Sequence, residues 1–252
     1  MPDLQRNHPI ETIELQELSL ADVTPLVESD YGQCSADLTG YLHGRSDGNP
    51  LFLVQLLRDL AEQGALRRDH EGRLLPPDRS VQVPAVLQHV IAHRITSLSS
   101  DVEALLGCAA VAGQEWHLAV IEVVLGWPED RLLQALEAAL HAKVIVAESE
   151  QEEIYRFSHG LMREVLYRQQ LTRSRKHLHE HVAGALEELA ARHRIAPDPA
   201  SLAHHFMAAE DWEKAIHYSV RAGEAARDRH ASHNALLFFQ QELEAAGRLP
   251  TA

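Results

Sequence analysis

The sequence is poor in aromatic residues and cysteines, and it has no phosphate-binding loop. Only 5% of its 252 residues are Phe, Trp or Tyr, although 45% are hydrophobic, which favours Ala- and Leu-rich helices over a β-sandwich. The two cysteines, Cys34 and Cys108, have no metal-type spacing, and both lie in stretches that the pattern predicts to be helical and apolar. We therefore expect both thiols to be reduced and buried.

Long hydrophobic runs are also missing. The longest apolar stretches, residues 104–113 and 118–124, are too short to span a bilayer. The sequence at Met1–Leu4 shows no basic region followed by an apolar core, so no secretory signal is predicted. We expect a cytoplasmic chain without a membrane partner.

Basic residues are outnumbered by acidic residues, 23 to 37, which gives a net charge of −14 with neutral histidines. This balance argues against a general nucleic-acid binder, because neutralising phosphates requires a basic face. The Gly-x-x-x-x-Gly-Lys-Ser/Thr motif of nucleotide-binding loops is absent as well. Neither a nucleophile-elbow serine nor a Cys/His pair with a placed acid is visible, so a stand-alone hydrolase is disfavoured.

Histidines are numerous, and three pairs have a spacing that could share a metal ion: His89 with His93, His177 with His181, and His204 with His205. No His-Glu-x-x-His motif accompanies them, and no third ligand is evident. Solvated helix faces are the favoured interpretation, and we expect no metal.

Hydrophobic periodicity predicts a mainly α protein with little β structure. A short strand is predicted at Ile10–Leu15, whose partner is either a distant hairpin or, as we favour, a sheet encoded upstream. Helices are predicted at about 19–28, 35–43, 50–63 and from Pro84 onward. Two short strands are predicted within residues 65–83. Three compact helices (100–112, 117–125 and 129–141) and a β-hairpin (143–147 with 153–157) then follow in winged-helix order.

The last third of the chain is predicted to be helical throughout. A long helix at about 173–193 precedes helical hairpins at 201–209, 212–229 and 232–245, in which small and aromatic positions alternate as in tetratricopeptide-type (TPR-like) repeats. At most one and a half repeats fit, whereas such stacks usually need about three. We therefore expect the repeat array to have been cut at the C-terminus.

Five elements in this order resemble the C-terminal arm of bacterial STAND-class signalling ATPases, which are AAA-like proteins found in large transcriptional activators and beside class III nucleotide-cyclase domains. They are Ser46–Leu53, Val90–Ser99, Phe157–His159, Ala203–Phe206 and Asp211–Ala215. The resemblance implies a residual end of the ATPase core (1–18), a helical lid (19–98), a winged-helix domain (99–170) and a helical linker with incomplete TPR-like repeats (171–252). It also implies that the phosphate-binding α/β core is absent from this chain.

The resemblance implies nucleotide contacts at two places. Gly48, Asn49 and Pro50 match the family's Gly-x-Pro motif, in which the proline lies against adenine; the alternative is a plain helix-start proline after a turn. His159 is similar to the winged-helix histidine that reaches the β-phosphate of ADP; the alternative is a histidine that caps the following helix. Ser158 precedes it, so only the histidine is carried over.

The implied cofactor is ATP or ADP, bound only together with the missing core. Implied partners are that core, an output domain, and a protein partner or inducer at the helical repeats. The third winged-helix helix and the wing tip are acidic, so we expect a packing and switch module without direct DNA binding. No catalytic residue is predicted. The competing hypothesis is a nucleotide-independent, TPR-like interaction scaffold.

Overall fold

The computed structural model describes residues 16–78, 81–149 and 151–249, and it confirms a mainly α protein with two small antiparallel sheets in those ranges. The chain forms two compact units, Met1–Leu87 and Gln88–Ala252. The strand predicted at Ile10–Leu15 lies outside the described residues. The predicted limits of lid, winged helix and linker remain predictions.

The first unit packs three helices and a short hairpin around leucines and valines. Its elements are α1 (Leu20–Tyr31), α2 (Ala36–Ser46), α3 (Pro50–Glu62), β1 (Arg67–Arg68), β2 (Leu74–Leu75) and the start of α4 (Ala85–Thr96). Ser19 and Asp22 form a capping box, in which the Ser19 N–H donates to Asp22 Oδ2 at 2.9 Å. Helix α3, predicted at 50–63, buries apolar residues that recur at helical spacing: Phe52, Leu53, Leu56, Leu57 and Leu60.

Cys34 corrects one prediction in this unit. It lies between α1 and α2, forms an isolated parallel bridge with Leu74, and is only half-buried. Gly32, at φ 89°, ends α1 before the cysteine is reached, so the apolar stretch around Cys34 is extended and not helical. Cys108 is helical and buried, as predicted, and burial raises the pKa of its thiol to about 12.

After the remainder of α4, the second unit has a helix–strand–helix–helix–strand–strand order, which is the order of a winged-helix domain. Its elements are α5 (Ser100–Ala112), β3 (Glu115–His117), α6 (Leu118–Leu125), α7 (Glu129–His141), β4 (Ile145–Ser149) and β5 (Ile154–Phe157). The predicted hairpin is confirmed, but the wing is three-stranded, with β5 between β3 and β4. Strand β3 was not predicted, because three residues are too few to show an alternation of apolar and polar positions.

Helices complete the second unit: α8 (Gly160–Gln169), α9 (Thr172–Ala191), α10 (Pro199–Ala209), α11 (Trp212–Asp228) and α12 (Ser232–Ala246). Helix α9 contributes to two cores. Val182, Ala185 and Leu189 pack with residues of α5 and α6, whereas Ala183 packs with residues of α10, α11 and α12. The long helix therefore joins the winged helix to the helical hairpins.

Trp212 packs half-buried against the second of these cores. In the described ranges, every helix is too short or too polar to cross a bilayer.

Candidate functional site

The Gly48–Pro50 segment forms a tight turn that starts helix α3. Gly48 has φ 69°, and a Cβ on it would overlap the Leu18 carbonyl oxygen, so the position requires glycine. The Leu18 N–H donates to the Gly48 carbonyl at 2.8 Å. This contact holds the chain before α1 against the turn.

Asn49 caps α3, and Pro50 is its first residue. Asn49 Oδ1 accepts hydrogen bonds from the N–H groups of Leu51 (3.0 Å) and Phe52 (3.2 Å), which is the usual role of asparagine at an N-cap. Pro50 has no backbone N–H that would need an acceptor at this position, and its ring fixes φ. The alternative interpretation, a helix-start proline that follows a turn, therefore accounts for these contacts.

The same turn also presents an apolar edge to the outside of the first unit. Pro50 is exposed, and Leu51 and Val54 on the adjoining turn of the helix are 51% and 44% exposed. A rigid, capped helix start that leaves three apolar side chains uncovered within its unit is suited to stack against a flat ring.

His159 lies at the junction of β5 and α8 in the second unit. It occupies the N-cap position with φ −140° and ψ 135°, but its side chain makes no capping hydrogen bond. The alternative that this imidazole caps the helix is therefore wrong. Ser158 anchors the junction, since its hydroxyl donates to the carbonyls of Lys143 and Val144 at 2.9 and 3.0 Å.

The four predicted contact residues are thus divided between the two units. Gly48, Asn49 and Pro50 form one turn in the first unit, and His159 begins a helix in the second.

A buried chain of hydrogen bonds, not predicted from the sequence, links four helices of the second unit. The Tyr167 hydroxyl lies 2.9 Å from His179 Nε2, and His179 Nδ1 lies 2.8 Å from His205 Nδ1. His205 in turn bonds the carbonyl of Ala112. We call Tyr167, His179, His205 and Ala112 the histidine chain; it connects α8, α9, α10 and the end of α5.

The chemistry of the groups fixes the direction of this chain. A carbonyl only accepts, so His205 must donate to Ala112 through Nε2, which leaves Nδ1 of a neutral ring as an acceptor. His179 must then donate from Nδ1 and accept at Nε2, where the Tyr167 hydroxyl donates. A proton added to His205 at Nδ1 would face the Nδ1–H of His179 and set two donors against each other, whereas a proton added to His179 at Nε2 would require the Tyr167 hydroxyl to turn and accept.

Burial and neighbouring charge keep both rings neutral. His179 and His205 are 1% and 2% exposed. Burial, with further contributions from His204 and from Arg163, lowers the pKa of His179 to about 4 and that of His205 to about 3. Arg175 adds to the effect at His179.

Two arginines hold Tyr167 in place. The guanidinium of Arg163 lies 5.9 Å from the ring centroid and that of Arg175 lies 5.1 Å from it. The Nε of Arg163 donates to the Ala110 carbonyl at 3.0 Å, and the neighbouring Glu164 pairs with Arg168. Burial lowers the pKa of Arg163.

The structure gives no support to the interpretation of the histidine pairs as metal ligands. Within the described residues, no three His, Cys, Asp or Glu side chains are grouped to hold an ion. The side chain of His177 is 64% exposed, as expected for a solvated helix face. His205 differs from that expectation, because its side of α10 faces the core.

Helical spacing was the signal that could have identified His179 as buried. It stands three, four and seven positions before Val182, Ala183 and Leu186, on the apolar stripe of α9. Its partners in α8 and α10 could not be read from spacing, because the contacts are tertiary.

Comparison with known proteins adds no family, since neither a protein-family model nor a curated protein sequence matches this chain.

Proposed function

We propose that this chain is the lid and winged-helix arm of a nucleotide-dependent signalling ATPase of the STAND class, acting in the cytoplasm. The observation that carries the proposal is the capped turn at Asn49, which leaves Pro50, Leu51 and Val54 as an exposed apolar edge. Such an edge is suited to cover an adenine ring, with the phosphates held by a separate phosphate-loop core.

In this proposal, ADP contacts the Pro50 edge from the first unit and His159 from the second. A nucleotide that makes both contacts in only one domain arrangement shifts the population toward that arrangement. The histidine chain supports transmission of such a change, because it fastens the end of α5 and helix α8 to α9 and α10. The helical hairpins would then report the nucleotide state to a protein partner or inducer, and an output domain would respond in transcription or cyclase signalling.

DNA reading by the winged helix is not part of the proposal. Arg131 on α7 is engaged by Asp101 at 2.7 Å and lies 4.1 Å above the Trp127 ring, and Arg156 of the wing pairs with Glu148 at 2.6 Å. Both guanidinium groups are therefore paired with neighbouring carboxylates. The chain as a whole has a net charge of −14.

A second candidate is a nucleotide-independent interaction scaffold. Helix α12 exposes three leucines, Leu236, Leu237 and Leu243, at 55%, 44% and 71%. Such a surface is suited to a partner helix.

The test measures release of fluorescent ADP from a phosphate-loop ATPase core expressed together with this chain. Replacing His159 with Ala should weaken ADP binding about ten- to a hundredfold, because a hydrogen bond to a charged group contributes about 1.5–3 kcal/mol. Pro50→Ala should weaken it several-fold. The chain alone should show no micromolar affinity for ADP or ATP in calorimetry.

Matched controls separate these contacts from general effects. Pro128 is an exposed proline before α7, and His181 is an exposed histidine on α9; Pro128→Ala and His181→Ala should leave ADP release unchanged. Unchanged release in Pro50→Ala and His159→Ala, with output activity intact, would favour the scaffold instead.

A further inference from the structure

The helical hairpins α10–α12 have a core that is largely their own. Leu202, Ala203 and Phe206 of α10 pack there with residues of α11 and α12. Helix α9 contributes the small residue Ala183 to this core, and Leu186 packs half-buried against it. The apolar contact between α9 and the hairpins is therefore modest, because the stabilisation follows the apolar area that is buried.

The opposite side of α9 is attached to the winged helix. Val182, Ala185 and Leu189 are buried there and pack with residues of α5 and α6. These side chains bury more apolar area than Ala183 does on the hairpin side. An opening between α9 and the hairpins would therefore leave α9 on the winged helix and keep both cores largely intact.

His205 makes the buried polar contacts across the boundary between α9 and the hairpins. Its Nδ1 lies 2.8 Å from His179 Nδ1, and its other nitrogen donates to the Ala112 carbonyl. Three further contacts cross the boundary nearer the surface: Lys176 with Glu210, Lys214 with Glu187, and Tyr218 with Glu187. Exposed ion pairs contribute little to stability, so the histidine contacts are the main polar connection.

A proton added to His205 cannot be accommodated without the loss of a contact. It would enter at Nδ1, which faces the Nδ1–H of His179. To avoid two opposed donors, His179 would have to carry its hydrogen on Nε2, and the Tyr167 hydroxyl would have to turn and accept. The phenol hydrogen would then lose its acceptor. A second proton, on His179, would set the two Nδ1–H groups against each other again.

Charged groups on the surrounding helices also oppose a cation at this place. Arg163 of α8 acts on both rings, and Arg175 of α9 acts on His179. On α10, the ring of His204 lies 5.5 Å from the ring of His179 and 5.4 Å from that of His205, so its protonation would add a like charge. The α5 carbonyl that accepts from His205 favours the charged form, but its effect is smaller.

We propose that acidification separates the hairpins α10–α12 from α9 by protonating His205 and His179, while α9 stays packed on the winged helix. In the separated state, His205 leaves its buried site and takes up a proton in water, so a lower pH favours that state. With the ordinary histidine pKa of about 6.5 in water, release of His205 alone should increase the opening equilibrium constant about twentyfold between pH 7 and 5. Separation would uncover Ala183 and Leu186 on α9.

Native-state hydrogen exchange of the full chain tests the proposal at pH 7 and pH 5, with and without low concentrations of urea. Dividing each exchange rate by the intrinsic rate at that pH gives the opening equilibrium constant of the amide. Amides of α10 and α11 should exchange through an opening with a smaller urea dependence than that of α5–α7, because less surface is exposed. Their opening constant should be at least tenfold larger at pH 5 than at pH 7.

Two variants assign the effect to the buried histidine. His205→Asn keeps an acceptor for His179 but does not titrate, so its opening constant should rise at least fivefold less than that of the natural chain. His181→Asn changes an exposed histidine on α9 and should keep the full rise.

A common opening constant and urea dependence for the hairpins and the winged helix would overturn the proposal, because the two parts would then unfold together. A hairpin opening in the natural chain that does not respond to pH would do the same, as would an equal rise in His205→Asn. The first two results come from the natural chain and do not depend on the folding of a variant. No nucleotide or ATPase core enters the experiment, so its result is independent of the proposed nucleotide contacts.

Discussion

At Gly223 two helices of the C-terminal hairpin approach too closely for any side chain. A Cβ on this residue would lie 2.6 Å from Phe239 Cε1 and 2.8 Å from its Cζ. Gly223→Ala should therefore force α11 and α12 apart or displace the ring, at a cost typical of overpacking. After subtraction of the gain of about 1 kcal/mol in helix propensity, we expect a net destabilisation of up to about 2 kcal/mol in chemical denaturation.

Gly184 supplies the matched control for that substitution. It lies inside α9, and a Cβ there would meet nothing within 4 Å. Gly184→Ala should stabilise the chain by up to about 1 kcal/mol, because only the propensity difference remains. Equal changes in the free energy of unfolding for the two substitutions would show that the close approach at Gly223 does not affect stability.

Single residues differ in how much of their role can be read from sequence. Asn49 and Pro50 were recognisable because N-capping and a helix-start proline are local chemistry. His205 was not, because only the fold brings it to His179. For Cys34 the prediction failed twice, because the residue is only half-buried and it forms a bridge with Leu74 between two helices.

At the scale of elements, α9 is the central member of the second unit. One of its faces packs on the winged helix, another packs on the helical hairpins, and His179 joins the histidine chain from the same helix. Its apolar periodicity predicted the helix, and it predicted two of the five buried positions, Val182 and Leu189. The partner of each face was beyond prediction, since periodicity specifies a face but not what covers it.

The histidine chain predicts a specific dependence of stability on pH. His179 and His205 have folded pKa values of about 4 and about 3, below the usual value of about 6.5 for an unfolded chain. Below pH 6.5 the unfolded state therefore binds more protons, so the stabilisation is complete above that pH and is lost as pH falls toward the folded values. When the pH is lowered from 7 to 5, the protonation of each of these histidines in the unfolded chain should reduce the free energy of unfolding by about 2 kcal/mol.

His205→Asn tests this assignment. Asparagine can still accept from His179 but does not titrate, so the loss of stability between pH 7 and 5 should be smaller than that of the natural chain in urea denaturation, with His179 and His204, whose pKa burial also lowers, still contributing. His181→Asn, at an exposed position on α9, should keep the full pH dependence. An unchanged dependence in His205→Asn would mean that other groups are responsible.

At the scale of the whole molecule, the helical class and most element limits followed from the sequence. Helices end at recognisable signals, such as Gly113 after α5 and the Gly126–Pro128 turn before α7. Strand β3 did not follow, because it depends on pairing with β5, a distant segment of the chain.

The nucleotide-dependent role stands or falls with the position of the Pro50 edge, because this is the part of the first unit proposed to cover adenine. Photolabelling with 2-azido-ADP tests it directly. This chain would be combined with a phosphate-loop core, irradiated, digested and analysed by mass spectrometry. The proposal predicts a label within residues 50–54 that excess ADP competes away. Labelling confined to the core, with residues 50–54 unmodified, would contradict it.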